Sequence, residues 1–112
     1  MKRRGATPES KVLSVVVAWC HHNRVFVWRN NTGGFKHPVT GKYIRFGFPG
    51  SPDLLGMTRS GRFLGIECKR EGGRLEDSQK RFKEQCEASG GIYLVIRSID
   101  DLEAHREAIL RG

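Results

Sequence analysis

Three charged side chains, Asp53, Glu67 and Lys69, stand where two strand patterns meet. Asp53 opens one run, to Thr58, and Glu67 and Lys69 close a second that starts at Arg62; Arg59-Ser60-Gly61 between them reads as a hairpin turn. A hairpin returns the end of its second strand to the start of its first, so all three groups reach one edge. Side chains alternate along a strand, which puts Phe63, Gly65, Glu67 and Lys69 on one face and Leu64, Ile66 and Cys68 on the other. Two carboxylates meeting at an edge repel each other unless a cation lies between them. Oxygen ligands of this kind suit Mg²⁺ or Mn²⁺. Such an ion makes its water easier to deprotonate, and a nearby lysine takes the proton or offsets transition-state charge. In outline this is a site for phosphodiester hydrolysis.

Glu-x-Lys alone carries no weight, because roughly a third of chains this long contain one by chance. Its context does. The pair ends a strand with apolar flanks, and Gln79 falls on the inward stripe of the next helix, beside Leu75, Phe82 and Cys86. An amide on such a stripe is commonly a satisfied core residue; beside a hydrolytic site it is a candidate for orienting water or a backbone phosphate. Other chemistries lack their residues. There is no Gly-x-x-x-x-Gly-Lys-Ser/Thr run and no Gly-x-Ser-x-Gly elbow. His21, His22, His37 and His105 have no nucleophile partner, and His105 is expected on the surface of the last helix. Cys20-His21-His22 lacks a second pair to complete a tetrahedron, so Cys20 reads as a packing residue.

The elements that must hold these groups are legible from pattern. Thr7-Pro8-Glu9 starts a helix, with Thr7 as cap, and Val12, Val15, Val16 and Trp19 repeat at helical spacing to an end near His22-Asn23. Val25 to Trp28 reads as a short strand. Residues 29–52, rich in Gly and Pro, read as a loop or extended hairpin with a strand around Tyr43–Phe46. The helix over 75–89 stops at Gly90-Gly91, an interior strand spans Ile92 to Arg97, and Ser98 with Asp101 opens a last helix. The order predicts one α/β domain over residues 1–112, a mixed central sheet flanked by helices, with residues 1–6 as a flexible basic tail.

The chain carries 20 Lys+Arg against 12 Asp+Glu, a net +8. All of the excess lies in residues 1–50, where Glu9 is the only acid; residues 51–112 balance. A basic half interleaved with Trp28, Phe35, Tyr43, Phe46 and Phe48 is what a polyanion-binding surface requires. Three cysteines at long spacings argue against a disulfide framework, no apolar run is long enough to cross a bilayer, and Met1-Lys2-Arg3-Arg4 leads into a polar stretch rather than a secretory core. A cytoplasmic protein with no membrane partner is expected.

Taken in order, Gly50-Ser51-Pro52-Asp53, then Gly65-Ile66-Glu67-Cys68-Lys69, resembles the PD-(D/E)XK nuclease signature. Gly73-Arg74-Leu75 with Gln79, the run Gly90 to Ser98, Trp28-Arg29-Asn30-Asn31-Thr32-Gly33 and Arg45-Phe46-Gly47 resemble the VRR-NUC subfamily, over about residues 7 to 103. The resemblance implies a restriction-endonuclease-like core and Mg²⁺- or Mn²⁺-dependent cleavage of DNA. It implies Asp53, Glu67 and the backbone carbonyl of Cys68 as metal ligands, Lys69 as the group that positions or activates water, and Gln79 as the accessory residue on the helix. Glu9 matches an acidic position that approaches the metal in this superfamily, although helix capping explains it equally well. Cys68 stands where a plain aliphatic residue is common. DNA contacts are expected from Arg29, Asn30, Lys36, Lys42, Arg45 and Arg74. Short single-domain members resemble phage or bacterial enzymes, some of them homodimers acting on four-way (Holliday) junctions. The competing reading is a non-catalytic DNA-binding module with a degenerate site, and RNA is the weaker alternative substrate.

Overall fold

A computed structural model describes residues 8–112. The expected Thr7 cap and the basic tail over 1–6 lie outside the described residues. Helix α1 (Glu9–His22) buries Val12, Val16 and Cys20, one residue per turn. Trp19 sits beside that stripe, and its indole N–H donates to Glu103 Oε1 at 3.2 Å. The helix ends where the Asn23 amide donates to the Trp19 carbonyl and Arg24 turns to a φ of 56°.

The main sheet contains β1 (Phe26–Arg29), β4 (Leu54–Met57), β5 (Phe63–Cys68) and β6 (Ile92–Ile96), in the order β1-β4-β5-β6. The first two pairings are antiparallel and β5–β6 is parallel, so the chain must cross over between them. Helix α2 (Asp77–Ala88) makes that crossover. The architecture is the expected α/β domain with a mixed sheet. Leu54, Leu64, Ile66, Cys68, Leu94 and Ile96 point to one side and close a core against α1, α3 (Ile99–Ala104) and α4 (Arg106–Arg111). The opposite side carries Glu67, which leaves the apolar face free to anchor the strand. No helix among the described residues is long and apolar enough to cross a membrane.

One segment differs from expectation and another is more ordered than pattern alone specifies. The single C-terminal helix is two short ones, broken at exposed His105, whose ring lies 2.9 Å from the Asp101 carbonyl. At its start, Ser98 Oγ accepts from the Asp101 N–H (3.3 Å), while the Asp101 carboxylate accepts from the Arg97 N–H (2.8 Å) and not from residue 98. Residues 29–52 form the extended hairpin, with the strand at Tyr43–Phe46 as expected and a partner strand that was not. They hold two strands, β2 (Gly33–Lys36) and β3 (Tyr43–Phe46), which pair only with each other. The Tyr43 ring lies over Gly34 and the Phe46 ring over Gly33, where a Cβ would come within 2.5 and 3.0 Å of them. These glycines let each ring fold flat on the backbone, which supports a pair of strands otherwise marginal in water.

The ribbon returns to the body through Gly50, whose φ is 78° and whose backbone rests on the first turn of α2; a Cβ there would run into the Ser78 carbonyl. Gly50→Ala should therefore lower stability by about 1–3 kcal/mol, measured by urea denaturation. A loss below about 0.5 kcal/mol would show that the segment swings away from α2 without cost.

Candidate active site

The β4–β5 register sets the site. Leu54 pairs with Ile66, so Asp53, one residue earlier, falls beside Glu67. The Asp53 N–H donates to Glu67 Oε1 at 3.2 Å, and the Asp53 carboxylate Oδ2 accepts from the Cys68 N–H at 2.8 Å. Each acid thus grips the backbone at the other's strand, and the two carboxylates are locked into one corner. Lys69 Nζ lies 3.6 Å from Glu67 Oε2, with both side chains buried. The three groups that the sequence pattern puts at one edge are together.

Gln79 joins them from α2. Its Nε2 donates to Glu67 Oε2 at 2.9 Å, and its Oε1 accepts from the Glu76 N–H at 2.8 Å. The second bond is half of a capping box at the start of the helix. Both ends of the amide are therefore assigned, the carbonyl to the helix terminus and the NH₂ to the carboxylate. Gln79 is a positioning residue for Glu67. The Glu-x-x-Gln spacing of residues 76–79 is the sequence signal for the capping half of this role, and it is overlooked when only the apolar stripe is read.

Electrostatics in this corner are unfavourable without a cation. Burial, and after it the charge of Asp53, raises Glu67 from 4.5 to about 7; Lys69 and the Asp53 N–H only partly offset this. A divalent ion between the acids would remove both penalties. Hard oxygen donors with room for water are what Mg²⁺ and Mn²⁺ accept. The Cys68 thiol is buried in the core on the other face, so only its backbone is available at this corner. Among the described residues no three His, Cys, Asp or Glu side chains converge on one point. Glu9 is exposed in the first turn of α1, near enough for its charge to act on the Cys68 thiol.

Two further residues face the site. Tyr93 pairs with Gly65 on the neighbouring strand and is buried, its hydroxyl has no partner, and the charges of Glu67 and Asp53 both act on it. The Arg97 guanidinium donates to the Gly73 carbonyl at 2.7 Å and so pins the β5–α2 loop. The DNA-contact candidates divide. Arg29, Lys36, Lys42, Arg45 and Arg74 are exposed. Asn30 instead uses its amide on Ser51 Oγ (2.6 Å) and the Pro52 carbonyl (3.0 Å), while its backbone N–H donates to the Asp53 carbonyl at 2.8 Å. An apolar cavity of about 730 Å³, lined by Phe48, Phe63 and Phe82 among others, lies along α2, and the carboxylates do not line it.

The Glu67 carboxyl generates a pH prediction. The folded, metal-free protein holds its proton to higher pH than the unfolded chain, so this group's contribution is intact below 4.5 and is lost as pH rises through about 7. Thermal melts should therefore fall between about pH 5 and pH 8 by more than those of Glu67→Gln, and Mg²⁺ should restore the wild-type melt at the upper pH only. Equal falls in the two proteins would contradict the assignment.

Residues 7–100 match the family model of the VRR-NUC domain. No curated protein and no solved structure matches the chain. The match runs from α1 through β6 and takes in all four residues of the corner, and on that footing the chain belongs to the VRR-NUC domain family.

Proposed function

We infer that this nuclease-type, DNA-processing domain is a Mg²⁺- or Mn²⁺-dependent endodeoxyribonuclease that cuts branched DNA, the four-way junction foremost, as a homodimer in the cytoplasm. The observation that carries the metal-dependent reading is the paired acids, half-buried Asp53 and buried Glu67, with a lysine 3.6 Å from Glu67. Asp53, Glu67 and the Cys68 carbonyl would hold the cation, with Glu9 a further candidate acid. The ion would supply Lewis-acid stabilisation at the phosphate and an acidified water. Lys69, an ammonium beside Glu67, would neutralise the charge that builds on the phosphate. Gln79 keeps Glu67 from rotating away.

Substrate selection rests on the basic half. Arg29, Lys36, Lys42, Arg45 and Arg74 are exposed cations that can meet phosphates, which position DNA without reading its sequence. A two-fold dimer suits paired nicks across a symmetric branch. The free thiols of Cys20, Cys68 and Cys86 accord with a reducing compartment.

Lys69→Ala separates this reading from a DNA-binding module without catalysis. Cleavage of a four-way junction in Mg²⁺ should fall by about 10²–10³-fold while gel-shift affinity stays within about twofold. Wild-type protein that binds junctions but cuts neither DNA nor a matched RNA in Mg²⁺ or Mn²⁺ would establish the module instead.

A further inference from the structure

The β2–β3 ribbon has two chemically distinct faces. Its register pairs Gly33 with Phe46 and Phe35 with Ile44 on one side, and Gly34 with Arg45 and Lys36 with Tyr43 on the other. The first face is wholly apolar and open to solvent, with Phe35 51% and Phe46 46% exposed. Phe48, two residues on, carries apolar surface to Phe82 of α2, their ring centroids 5.7 Å apart. The second face is basic, and Lys42 stands at the turn beside it. No acidic residue occurs between Glu9 and Asp53.

Position narrows the partner. The ribbon's two roots are tied to the site: Asn30 is bonded to the Asp53 and Pro52 carbonyls, and Gly50 rests on the turn of α2 that carries Gln79. Whatever covers the apolar face therefore docks on an element that is rooted at the site and carries three cations. A second copy of the ribbon seated on the apolar face would leave the cations of the opposite face unmet. A branch point in DNA offers both complements at once, an uncovered base-pair face and the phosphates of the arm that departs from it.

We propose that the ribbon is a stacking wedge: Phe35, Ile44 and Phe46 cap the terminal base pair at a branch, while Lys36, Tyr43 and Arg45 follow the backbone of the departing strand. This rests on the DNA-cleaving reading above and adds the part of the chain that selects branched over linear substrate. The wedge also sets the distance from branch to cut, because its roots sit at the site.

The test is metal-free binding of a four-way junction and of linear duplex of the same sequence, with wild type, Phe35→Ala/Ile44→Ala and Phe35→Trp. The double variant should bind duplex within about twofold of wild type and junction at least about fivefold more weakly, the lower end for loss of one base–aromatic stack. Phe35→Trp should keep the junction preference. Independently of any variant, wild type should change the fluorescence of 2-aminopurine at the branch and not of the same base inside an arm. Unchanged 2-aminopurine fluorescence, equal losses on both substrates or no loss on either would overturn the wedge. So would light scattering that shows a wild-type dimer and a monomeric double variant, which would give the face to a second copy. If wild type neither cuts in Mg²⁺ nor prefers junctions, the functional reading fails first. If it does both and the double variant keeps the preference, the wedge alone fails.

Discussion

Two carboxylates share one corner, Glu67 buried and Asp53 half-buried, and the rest of the site answers to that conflict. Asp53 and Glu67 cannot separate, because each is bonded to the backbone beside the other. The Lys69 ammonium stands 3.6 Å from Glu67 and offsets only part of this repulsion. Burial and the neighbouring charge leave Glu67 with a raised affinity for a proton. On the proposed reading, a divalent cation would replace that proton and satisfy both acids.

The scaffold's work is to keep this tension from relaxing. On the far face, Leu64, Ile66 and Cys68 are buried against α1 and the C-terminal helices, so β5 cannot slip by one residue without exposing its apolar set. On the near face, Gln79 spends one end of its amide on the α2 terminus and the other on Glu67, which ties the rotamer of the acid to the position of a helix. The ribbon's root is held between Asp53 and α2, so the element rich in cations cannot move independently of the acids. Stability elsewhere in the chain supports a local arrangement that is unfavourable by itself.

What the sequence reveals depends on how far each signal reaches along the chain. The alternation in Phe63 to Lys69 is a period-two pattern in one strand, and it correctly separates the Glu67 face from the core face. The joining of Asp53 to Glu67 follows from a short turn, a local constraint as well. Gln79 is harder. The stripe places it facing inward, but its division between cap and carboxylate depends on how α2 docks, which no local pattern encodes. In residues 29–52 the Gly and Pro content is legible as irregular chain, whereas two strands standalone from the sheet depend on rings folding over Gly33 and Gly34. The break at His105 is likewise invisible to pattern, because the flanking residues are ordinary helix formers. Asn30 reads as a DNA contact in a basic segment, yet its amide is committed to the loop of Ser51 and Pro52.

The most direct measurement is calorimetric titration of Mg²⁺ or Mn²⁺ into wild type and Asp53→Asn, paired with the metal-free melting temperature of each near pH 8. Asparagine keeps an oxygen for the Cys68 N–H and removes the charge. The account predicts that the variant loses metal binding and melts higher than wild type without metal. A variant that binds metal as wild type does, or one that melts well below it without metal, would contradict the claim that like charges in this corner await a cation.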